Sequence, residues 1–412
     1  MKNRVVVTGI GAVTPIGTGK EAYWKALREG VVGVDLITYF DTTEYSTKIA
    51  AEVKDFEADL YMSKKEAKRM DRFTQFAVAA SHLALADSKI DLEKIDADRF
   101  GVVIGSGIGG ILTLEDEHRK LIEKGPSRIS PFLIPMMISN MATGQVSMSF
   151  NAKGPNFSVV TACASGTNAI GEAYKLIQRG DADLMLTGGA ESSITPLGIA
   201  GFCSMKAMST RNDDPKTASR PFDKDRDGFI MGEGSGVLLL ESLDHALSRG
   251  ATIYGEVVGF GSSADAYHIT SPSPGGEGAA RSMKMALRDA GIEASQVAYV
   301  NAHGTSTPFN DKFETLAIES VFGEHAKDLM VSSTKSMTGH LLGASGAVEA
   351  IACLLGIYEG YVHGTMSIQN VDPELGLNYL PNQGVEAVVD YALSNSLGFG
   401  GHNATLILAK YK

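Results

Sequence analysis

Apolar and polar positions divide the chain into short apolar runs and longer amphipathic stretches. Residues 4–7, 100–104 and 297–301 are rich in β-branched and aromatic side chains, which is typical of buried strands. Apolar residues recur at helical spacing in residues 169–177 and 278–290. Because strands and helices alternate, the pattern predicts an α/β fold with predominantly parallel sheets covered by helices.

The alternation restarts near residue 250, which predicts two halves, residues 1–250 and residues 251–412. Each half begins with a strand that leads into a GxG turn, at residues 4–11 and 256–261. The two halves are therefore interpreted as distant copies of one unit. Within the first half, residues 63–88 are predicted to form one helix and residues 157–161 a buried strand.

Composition narrows the possible functions. The chain has 412 residues and a formal net charge of −11, which argues against general nucleic-acid binding because that requires a basic surface. Its three cysteines are odd in number and widely separated, so neither a disulfide framework nor a metal site is expected, and a reducing cytoplasm fits best. The first apolar run breaks at Thr8 and Gly9, which indicates a strand rather than a signal peptide. No window of about 20 apolar residues predicts a membrane-spanning helix.

Cys163 lies where the predicted strand becomes a helix. A thiol at that position faces the free N–H groups and the positive dipole end of the helix, so its pKa is expected to be lowered. Small neighbours, from Ala162 to Gly166, leave room for a substrate. A lone cysteine among apolar residues is equally typical of a core, and this segment alone leaves both interpretations open.

His303 and His340 also follow strands, in loops rich in small polar residues, and Lys335 lies beside the second histidine. In α/β sheets such loops form the edge at which ligands bind. A thiolate can accept an acyl group from a thioester, and two neutral imidazole N–H groups can bind an enolate oxygen. Hydrolysis needs only one histidine, so this set of residues favours carbon–carbon bond formation.

Two other motifs are set aside. The glycines of residues 105–110 satisfy GxGxxG, but no acidic residue follows at the distance that a dinucleotide site requires. Residues 223–230 imitate the start of a calcium-binding loop, but Gly234 stands where the bidentate glutamate should be. We expect a turn rich in salt links there.

Four ordered motifs carry a family resemblance: TACASG at residues 161–166, NAHGTSTP at 301–308, TKSMTGHLLGASG at 334–346 and GFGGHN at 398–403. Together with RPFDKDRDGFIMGEGSG at 220–236, they resemble the β-ketoacyl-[acyl-carrier-protein] synthases over essentially the whole chain, and most closely the type II elongating enzymes of bacterial fatty-acid synthesis. The resemblance implies a thiolase-like fold of two pseudo-duplicated halves in α-β-α-β-α layers, and a homodimer.

The resemblance also implies a role for individual residues. Cys163 matches the nucleophile, and His303 and His340 match the pair that promotes malonyl decarboxylation. Lys335 matches a lysine near the second histidine, and Glu349 its acidic partner, although a helix surface charge is the alternative for Glu349. The N–H groups of Cys163 and Phe399 match an oxyanion hole, and Phe399 also matches a gate, with Gly398, Gly400 and Gly401 as its hinge.

Substrate contacts follow in the same way. Thr305 and Thr307 match residues that bind the phosphopantetheine arm, and Ile108 and Phe202 match the acyl tunnel. The segment 132–137 of a dimer partner would complete that tunnel. A group of basic residues would suit the binding of an acidic carrier protein: Lys64, Lys65, Lys68, Arg69, Lys124, Arg128, Lys206 and Arg211. The alternative is that these residues only form a solvated helix face. Two positions depart from the family pattern, Phe309 and His402.

The activity that the resemblance implies is an acyltransferase reaction in which Cys163 takes an acyl chain from acyl-carrier-protein and condenses it with malonyl-carrier-protein. No cofactor or metal is expected, because phosphopantetheine arrives on the carrier protein, and no nucleic acid or membrane partner is expected. Three alternatives are a non-catalytic chain-length subunit, which should lack the thiol, a thiolase, which should have a second active-site cysteine, and a polyketide enzyme.

Overall fold

The computed structural model describes residues 2–412. The strands are β1 (Val5–Thr14), β2 (Gly17–Thr18), β3 (Asp35–Leu36), β4 (Ile49–Ala50), β5 (Phe100–Gly105), β6 (Asn156–Phe157), β7 (Leu184–Glu191), β8 (Gly234–Ser242), β9 (Gly255–Ala264), β10 (Tyr299–Asn301), β11 (Met330–Ser332), β12 (Tyr361–Val362), β13 (Val385–Glu386), β14 (Tyr391–Gly398) and β15 (His402–Ala409). The helices are α1 (Lys20–Glu29), α2 (Lys64–Ala67), α3 (Arg72–Ser88), α4 (Ile111–Lys124), α5 (Leu133–Met137), α6 (Met141–Phe150), α7 (Ser165–Arg179), α8 (Pro196–Ser204), α9 (Leu243–Ser248), α10 (Glu277–Ala290), α11 (Pro308–Phe322), α12 (Lys335–Thr338) and α13 (Ser345–Glu359).

The same strand order occurs twice in the main sheet. In the first half the order is β1-β8-β7-β5-β6, and in the second it is β9-β15-β14-β10-β11. In both halves the first two pairings are antiparallel and the last two are parallel. An antiparallel pairing of β1 with β9 joins the two halves into one sheet. This repeated topology supports a duplication, while the domain boundary near residue 250 stays a prediction.

The expectation of predominantly parallel sheets is wrong, since half of the pairings within each copy are antiparallel. The physical reason is that these strands are buried on both faces, so their apolar runs look the same in either direction. The turn between β14 and β15 spans only residues 399–401, which forces those two strands to run antiparallel.

Helices cover both faces of each half-sheet. Helices α7 and α13 pack on each other and on strands of both halves, whereas α3 covers β1, β7 and β8, and α10 covers β9 and β15. Helix α13 is buried on all sides for most of its length because it lies in this central layer, and Glu349 is its one charged residue there. The segment Leu342–Glu359 is long and apolar enough to cross a membrane by length and composition, but 89% of it is buried inside the protein, as expected of a core helix.

Two predicted elements differ from the structure. Residues 157–161 do not form a buried strand, because β6 ends at Phe157 and the side chains of Phe157 and Val160 are exposed at the edge of the sheet. Residues 63–88 form two helices rather than one. The side chain of Asp71 accepts a hydrogen bond from the N–H of Phe73 and caps a new helix there.

A tight turn of the same shape precedes each central helix. The first, Ala162–Ala164, carries Cys163 and leads into α7, and the second, Leu342–Ala344, leads into α13. Ala162 and Leu342 adopt left-handed backbone angles, with φ of 50° and 47°. Such angles are uncommon for residues other than glycine, so both turns are strained in the same way.

Candidate active site

Cys163 is held at the start of α7 by side chains of its own turn. Ser165 Oγ accepts a hydrogen bond from the N–H of Thr161 at 2.9 Å and donates one to the carbonyl of Ala162 at 2.7 Å. Asn168 Nδ2 donates to Thr161 Oγ1 at 2.7 Å. The thiol is 8% exposed and faces a cavity. The turn therefore fixes the position of the sulfur before any substrate binds.

The pKa of Cys163 is not lowered as the sequence suggested. Burial raises the pKa of the thiol to about 12, although the ammonium of Lys335 and the N–H groups of Phe399 and Cys163 oppose this rise. Burial outweighs these favourable groups because an ionised sulfur would lose its hydration. The free protein therefore holds a protonated thiol, and a base must remove the proton when acyl transfer begins.

The N–H groups of Phe399 and Cys163 lie near enough to the sulfur to lower the pKa of the thiol, and their role as an oxyanion hole stays a prediction. Gly398 makes this contact possible. A Cβ at this position would lie 2.8 Å from the carbonyl of Thr161 and 3.2 Å from the amide nitrogen of Cys163, which is too close for the backbone to accept. The end of β14 can thus approach the nucleophile turn only with glycine there.

His303 and His340 lie side by side, with ring centroids 5.2 Å apart and planes at 86°. His340 Nδ1 lies 2.8 Å from Ser345 Oγ. The His303 loop is held through its backbone, because Glu314 accepts hydrogen bonds from the N–H of His303 at 2.7 Å and of Gly304 at 2.8 Å. Burial raises the pKa of Glu314 to about 7, against the pull of these two N–H groups.

Both imidazoles are neutral at physiological pH. Burial lowers the pKa of His303 and of His340 well below the usual value, and the positive charge of Lys335 lowers both further. Lys335 itself forms a fully buried ion pair with Glu349. Burial raises the pKa of Glu349, and Lys335 opposes this rise. Glu349 is therefore not a surface charge, and it is the partner of the lysine as the resemblance implied.

One cavity of about 380 Å³ brings most of the predicted residues together. Its walls include the nucleophile, both histidines, both threonines, and the predicted tunnel, patch and gate residues Phe202, Lys206, Gly398 and Phe399. Lys335 lies behind this wall, and Gly400 is at the exposed tip of the β14–β15 turn. Ile108 lies outside the cavity and is 37% exposed, so its predicted place in an acyl tunnel is not seen in the single chain.

Phe229 is a residue of the site that the sequence analysis did not single out. Its ring lies 5.5 Å from that of His340 and 5.3 Å from that of Phe202, which in turn lies 6.3 Å from Phe399. The rings of Phe229 and Phe202 thus form a continuous series of contacts along the cavity wall between His340 and Phe399. The available signal was an aromatic residue in the motif at residues 220–236 that belongs to no core strand or helix.

Glu191 was also missed, and it accounts for the glycine turn at residues 105–110. Its buried carboxylate accepts hydrogen bonds from the N–H groups of Gly107 at 2.7 Å, Ile108 at 3.2 Å and Gly343 at 3.0 Å. The turn thus binds a carboxylate of the chain itself, in agreement with the rejection of a dinucleotide site. Burial raises the pKa of Glu191, and these N–H groups oppose the rise.

The loop at residues 223–230 is a turn with salt links, as expected. The carboxylate of Asp223 accepts hydrogen bonds from the N–H groups of Gln369 at 2.7 Å and Asn370 at 2.9 Å, and Arg226 pairs with Asp372 at 2.7 Å. No group of three or more possible metal-binding side chains occurs among residues 2–412.

The basic residues predicted to bind a carrier protein are exposed, except Arg211, which is half-buried. Lys64 forms an ion pair with Asp59 at 3.1 Å, and the guanidinium of Arg69 lies 4.7 Å from the ring centre of Phe132. Helix α2 therefore lies next to the segment that contains Arg128. Lys206 lies at the mouth of the cavity, near Phe309. A role for these residues in carrier-protein binding stays a prediction.

Comparison with family models decides the classification. Residues 2–246 match the beta-ketoacyl synthase N-terminal domain and residues 254–369 match the beta-ketoacyl synthase C-terminal domain. The chain belongs to the β-ketoacyl synthase family. A curated member of the family, 3-oxoacyl-[acyl-carrier-protein] synthase 2 of Synechocystis sp., is 56% identical over 411 residues, which cover 100% of this chain and 99% of the relative.

Solved structures of β-ketoacyl synthases share the fold. A beta-ketoacyl synthase from Burkholderia phymatum STM815 superposes with a TM-score of 0.93 at 37% identity, and 100% of each chain is covered. A ketosynthase in complex with its type II PKS acyl-carrier protein superposes with a TM-score of 0.93 at 35% identity, again over 100% of both chains. The predicted resemblance and the thiolase-like fold are confirmed.

Proposed function

We propose that the chain is a 3-oxoacyl-[acyl-carrier-protein] synthase that elongates fatty acids by two carbons through decarboxylative condensation. The observation that carries the proposal is that one thiol and two neutral imidazoles face one cavity. Similarity to 3-oxoacyl-[acyl-carrier-protein] synthase 2 over the full length supports the same reaction. The activity is an acyltransferase activity.

In the first half-reaction, the sulfur of Cys163 attacks the thioester carbonyl of acyl-carrier-protein. The carbonyl oxygen receives hydrogen bonds from the N–H groups of Cys163 and Phe399 as it becomes negative. A neutral imidazole in the same cavity takes the thiol proton, because burial keeps the thiol protonated in the free protein. The C–S bond to the carrier breaks, the protonated imidazole gives its proton to the departing sulfur and becomes neutral again, the carrier leaves as a thiol, and Cys163 holds the acyl chain.

In the second half-reaction, malonyl-carrier-protein loses CO2 and forms an enolate. Ser345 Oγ lies 2.8 Å from Nδ1 of His340, and in the tautomer in which it donates to Nδ1 the proton is on Nε2, which then donates to the enolate oxygen while His303 donates beside it. The enolate carbon then attacks the acyl carbon. A carbon–carbon bond forms, the bond to Cys163 Sγ breaks, the sulfur takes up a proton that comes from solvent, and the 3-oxoacyl product leaves on the carrier.

The partner is an acyl-carrier-protein, in its acyl and malonyl forms. Thr305 and Thr307 line the mouth of the cavity, with their hydroxyls 2.9 Å apart, where a phosphopantetheine arm would pass. The arm belongs to the carrier, so the enzyme needs no cofactor or metal of its own. The exposed basic residues Lys64, Lys65, Lys68, Arg69, Arg128 and Lys206 suit an acidic carrier.

A cytoplasmic homodimer is the expected form of the enzyme. Large apolar side chains that a single chain leaves exposed support a dimer: Ile134, Ile138, Met148, Phe157 and Val160. Strand β6 also ends the sheet, with its outer edge free to pair. Ile108 would then complete an acyl tunnel together with the segment 132–137 of the second copy.

The alternatives are less well supported. A chain-length subunit should lack the nucleophile, whereas Cys163 is present. A thiolase needs a second cysteine in the site, but Cys353 is fully buried within α13, and burial raises the pKa of its thiol. A polyketide enzyme shares the fold, but the relative from fatty-acid synthesis is more similar, at 56% identity against 35% for the type II PKS ketosynthase.

The test is condensation by the purified protein. With acyl- and malonyl-carrier-protein it should release CO2 and form a 3-oxoacyl product, and Cys163→Ala should lose acyl loading, measured as added mass on the intact protein. Cys353→Ala is the matched control, because it removes a buried thiol outside the cavity and should keep the activity. Full condensation by Cys163→Ala would refute the proposal. A series of donor chain lengths then defines the substrate range.

A further inference from the structure

A third buried histidine, His363, lies in the core behind the site. It follows β12, is 1% exposed, and meets the ring of Tyr299 edge to face, with centroids 6.3 Å apart. Neither the sequence analysis nor the condensation described above gives it a role. Its ring nitrogens nevertheless contact five polar groups, which is unusual for a residue that only fills space.

The contacts define which nitrogen of His363 carries the proton. Nδ1 lies 2.9 Å from the carbonyl oxygen of Gly364, which can only accept, so Nδ1 is protonated and donates. In a neutral ring Nε2 then carries no proton and accepts, and Asn301 Nδ2, which can only donate, lies 3.4 Å from it. Burial lowers the pKa of His363 to about 4, against the opposing bond to Gly364, and the ring is neutral at physiological pH.

The lone pair of Nε2 lies where two catalytic segments meet. Thr334 Oγ1 is 3.0 Å away and the hydroxyl of Tyr299 is 3.2 Å away. Asn301 Nδ2 also donates to Thr334 Oγ1 at 2.9 Å and to the hydroxyl of Tyr299 at 3.0 Å. Hydroxyl and amide donors surround Nε2, and an apolar side chain in its place would leave at least one of them unsatisfied.

Each of these contacts leads directly to a residue of the site. Asn301 ends β10 and lies two residues before His303, and Thr334 immediately precedes Lys335. We infer that His363 is a positioning residue whose Nε2 lone pair ties the end of β10 to the start of α12, and so fixes His303 relative to Lys335. The inference rests on the proposed function, because it assigns the effect of His363 to the decarboxylation step.

Measuring the two half-reactions separately distinguishes a positioning role of His363 from a role in the stability of the fold. His363 reaches the segments of His303 and Lys335, whereas Cys163 is held by Ser165 and Asn168 of its own turn. Loss of Nε2 as an acceptor should therefore impair CO2 release. Acyl loading of Cys163 should stay intact, because His340, which contacts Ser345 and not His363, remains in place to take the thiol proton. A residue that only stabilises the fold would impair both steps in proportion.

The experiment compares three variants of the full chain, His363→Gln, His363→Asn and His363→Leu. Glutamine places an amide oxygen near the position of Nε2, whereas asparagine reaches only the position of Nδ1 and leucine has no acceptor. We expect CO2 release from malonyl-carrier-protein to fall at least about tenfold in the asparagine and leucine variants, since small misplacements of catalytic groups have effects of this size. His363→Gln should stay within about threefold of the unsubstituted protein, and acyl loading should be unchanged in all three.

His325→Leu is the matched control. His325 lies in the same half of the chain, and its Nε2 donates to the carbonyl of Val297 at 2.9 Å, outside the cavity. This variant should keep both half-reactions. If His363→Leu does not fold, the glutamine and asparagine variants still decide the question. Unchanged CO2 release in His363→Asn, or equal loss of loading and CO2 release, would overturn the inference. Absence of both steps in the unsubstituted protein would instead refute the proposed function.

Discussion

The imidazole rings of His303 and His340 meet edge to face, with centroids 5.2 Å apart, and neither can become charged without cost. Burial and the nearby Lys335 ammonium hold the pKa of both rings well below the ordinary value. Two positive rings at this distance would also repel each other. The pair is thus kept as two neutral hydrogen-bond donors.

This neutrality gives a pH dependence of stability. Below about pH 6.5 the unfolded chain protonates both histidines but the folded chain does not, so unfolding takes up protons and the free energy of unfolding falls as the pH falls. Each histidine contributes up to about 1.4 kcal/mol per pH unit. Urea unfolding between pH 7.5 and 5 should show a shallower decline in the His303→Asn/His340→Asn variant. Parallel profiles for the two proteins would contradict the assignment.

The ion pair of Lys335 with Glu349 should be costly to break. Glu349→Gln leaves a buried ammonium without its counterion, and we expect the free energy of unfolding to fall by about 3 kcal/mol or more. The double variant Lys335→Met/Glu349→Leu removes both charges and should recover most of this loss without recovering condensation. Denaturant unfolding and CO2 release measure the two effects separately. Equal stability of the single variant and the unsubstituted protein would contradict this prediction.

The turn between β14 and β15 should be sensitive to added volume at Gly401. Its φ is +73°, and a Cβ there would lie 2.7 Å from Cβ of Asp265, whereas Gly250 has a φ of +66° and open space around it. Replacement by alanine should cost about 1 kcal/mol at either position because of the backbone angle. Only Gly401→Ala should also slow condensation, measured as kcat, because it displaces the loop that carries Phe399. Equal kcat values for the two variants would argue against a gate.

The basic residues in and just after α2 should affect binding of the carrier protein and not the chemical steps. Lys65→Glu/Lys68→Glu should lower kcat/KM for carrier-bound substrates by about tenfold at low salt, and the difference should narrow as salt screens the charges. Activity with small thioesters that lack the carrier should not change. Lys25→Glu, which alters an exposed lysine of α1, is the control. A loss that is the same with and without the carrier would instead indicate damage to the fold.

Much of the site could be predicted because its residues lie in short motifs at strand ends. His303 follows β10 directly, and Cys163 and His340 lie in the loops after β6 and β11; the motifs of these loops indicated the identity of all three residues, which line one cavity. The helical pattern near α7 and α10 was also reliable, because apolar residues at helical spacing over so many positions do not suit a strand.

The features of the site and fold that were not predicted depend on burial, which a sequence does not show. The position of Cys163 at a helix start suggested a lowered pKa, but burial of the thiol raises its pKa instead. Glu191 and His363 act through contacts with residues far away in sequence, so no local pattern marks them. Strand direction was wrong for a similar reason, since full burial on both faces conceals it.

The matching turns at Ala162 and Leu342 show that the two halves have similar backbones but supply different residues to the site. Both copies lead into an Ala-Ser-Gly helix start, but the second has Gly343 where the first has Cys163. In the second copy Leu342 lines the cavity, His340 lies just before the turn, and the Gly343 N–H binds Glu191 of the first copy. Only one of the two equivalent turns therefore carries a nucleophile. Neither half could catalyse condensation alone, because the first half carries the acyl group on Cys163 and the second half supplies His303 and His340.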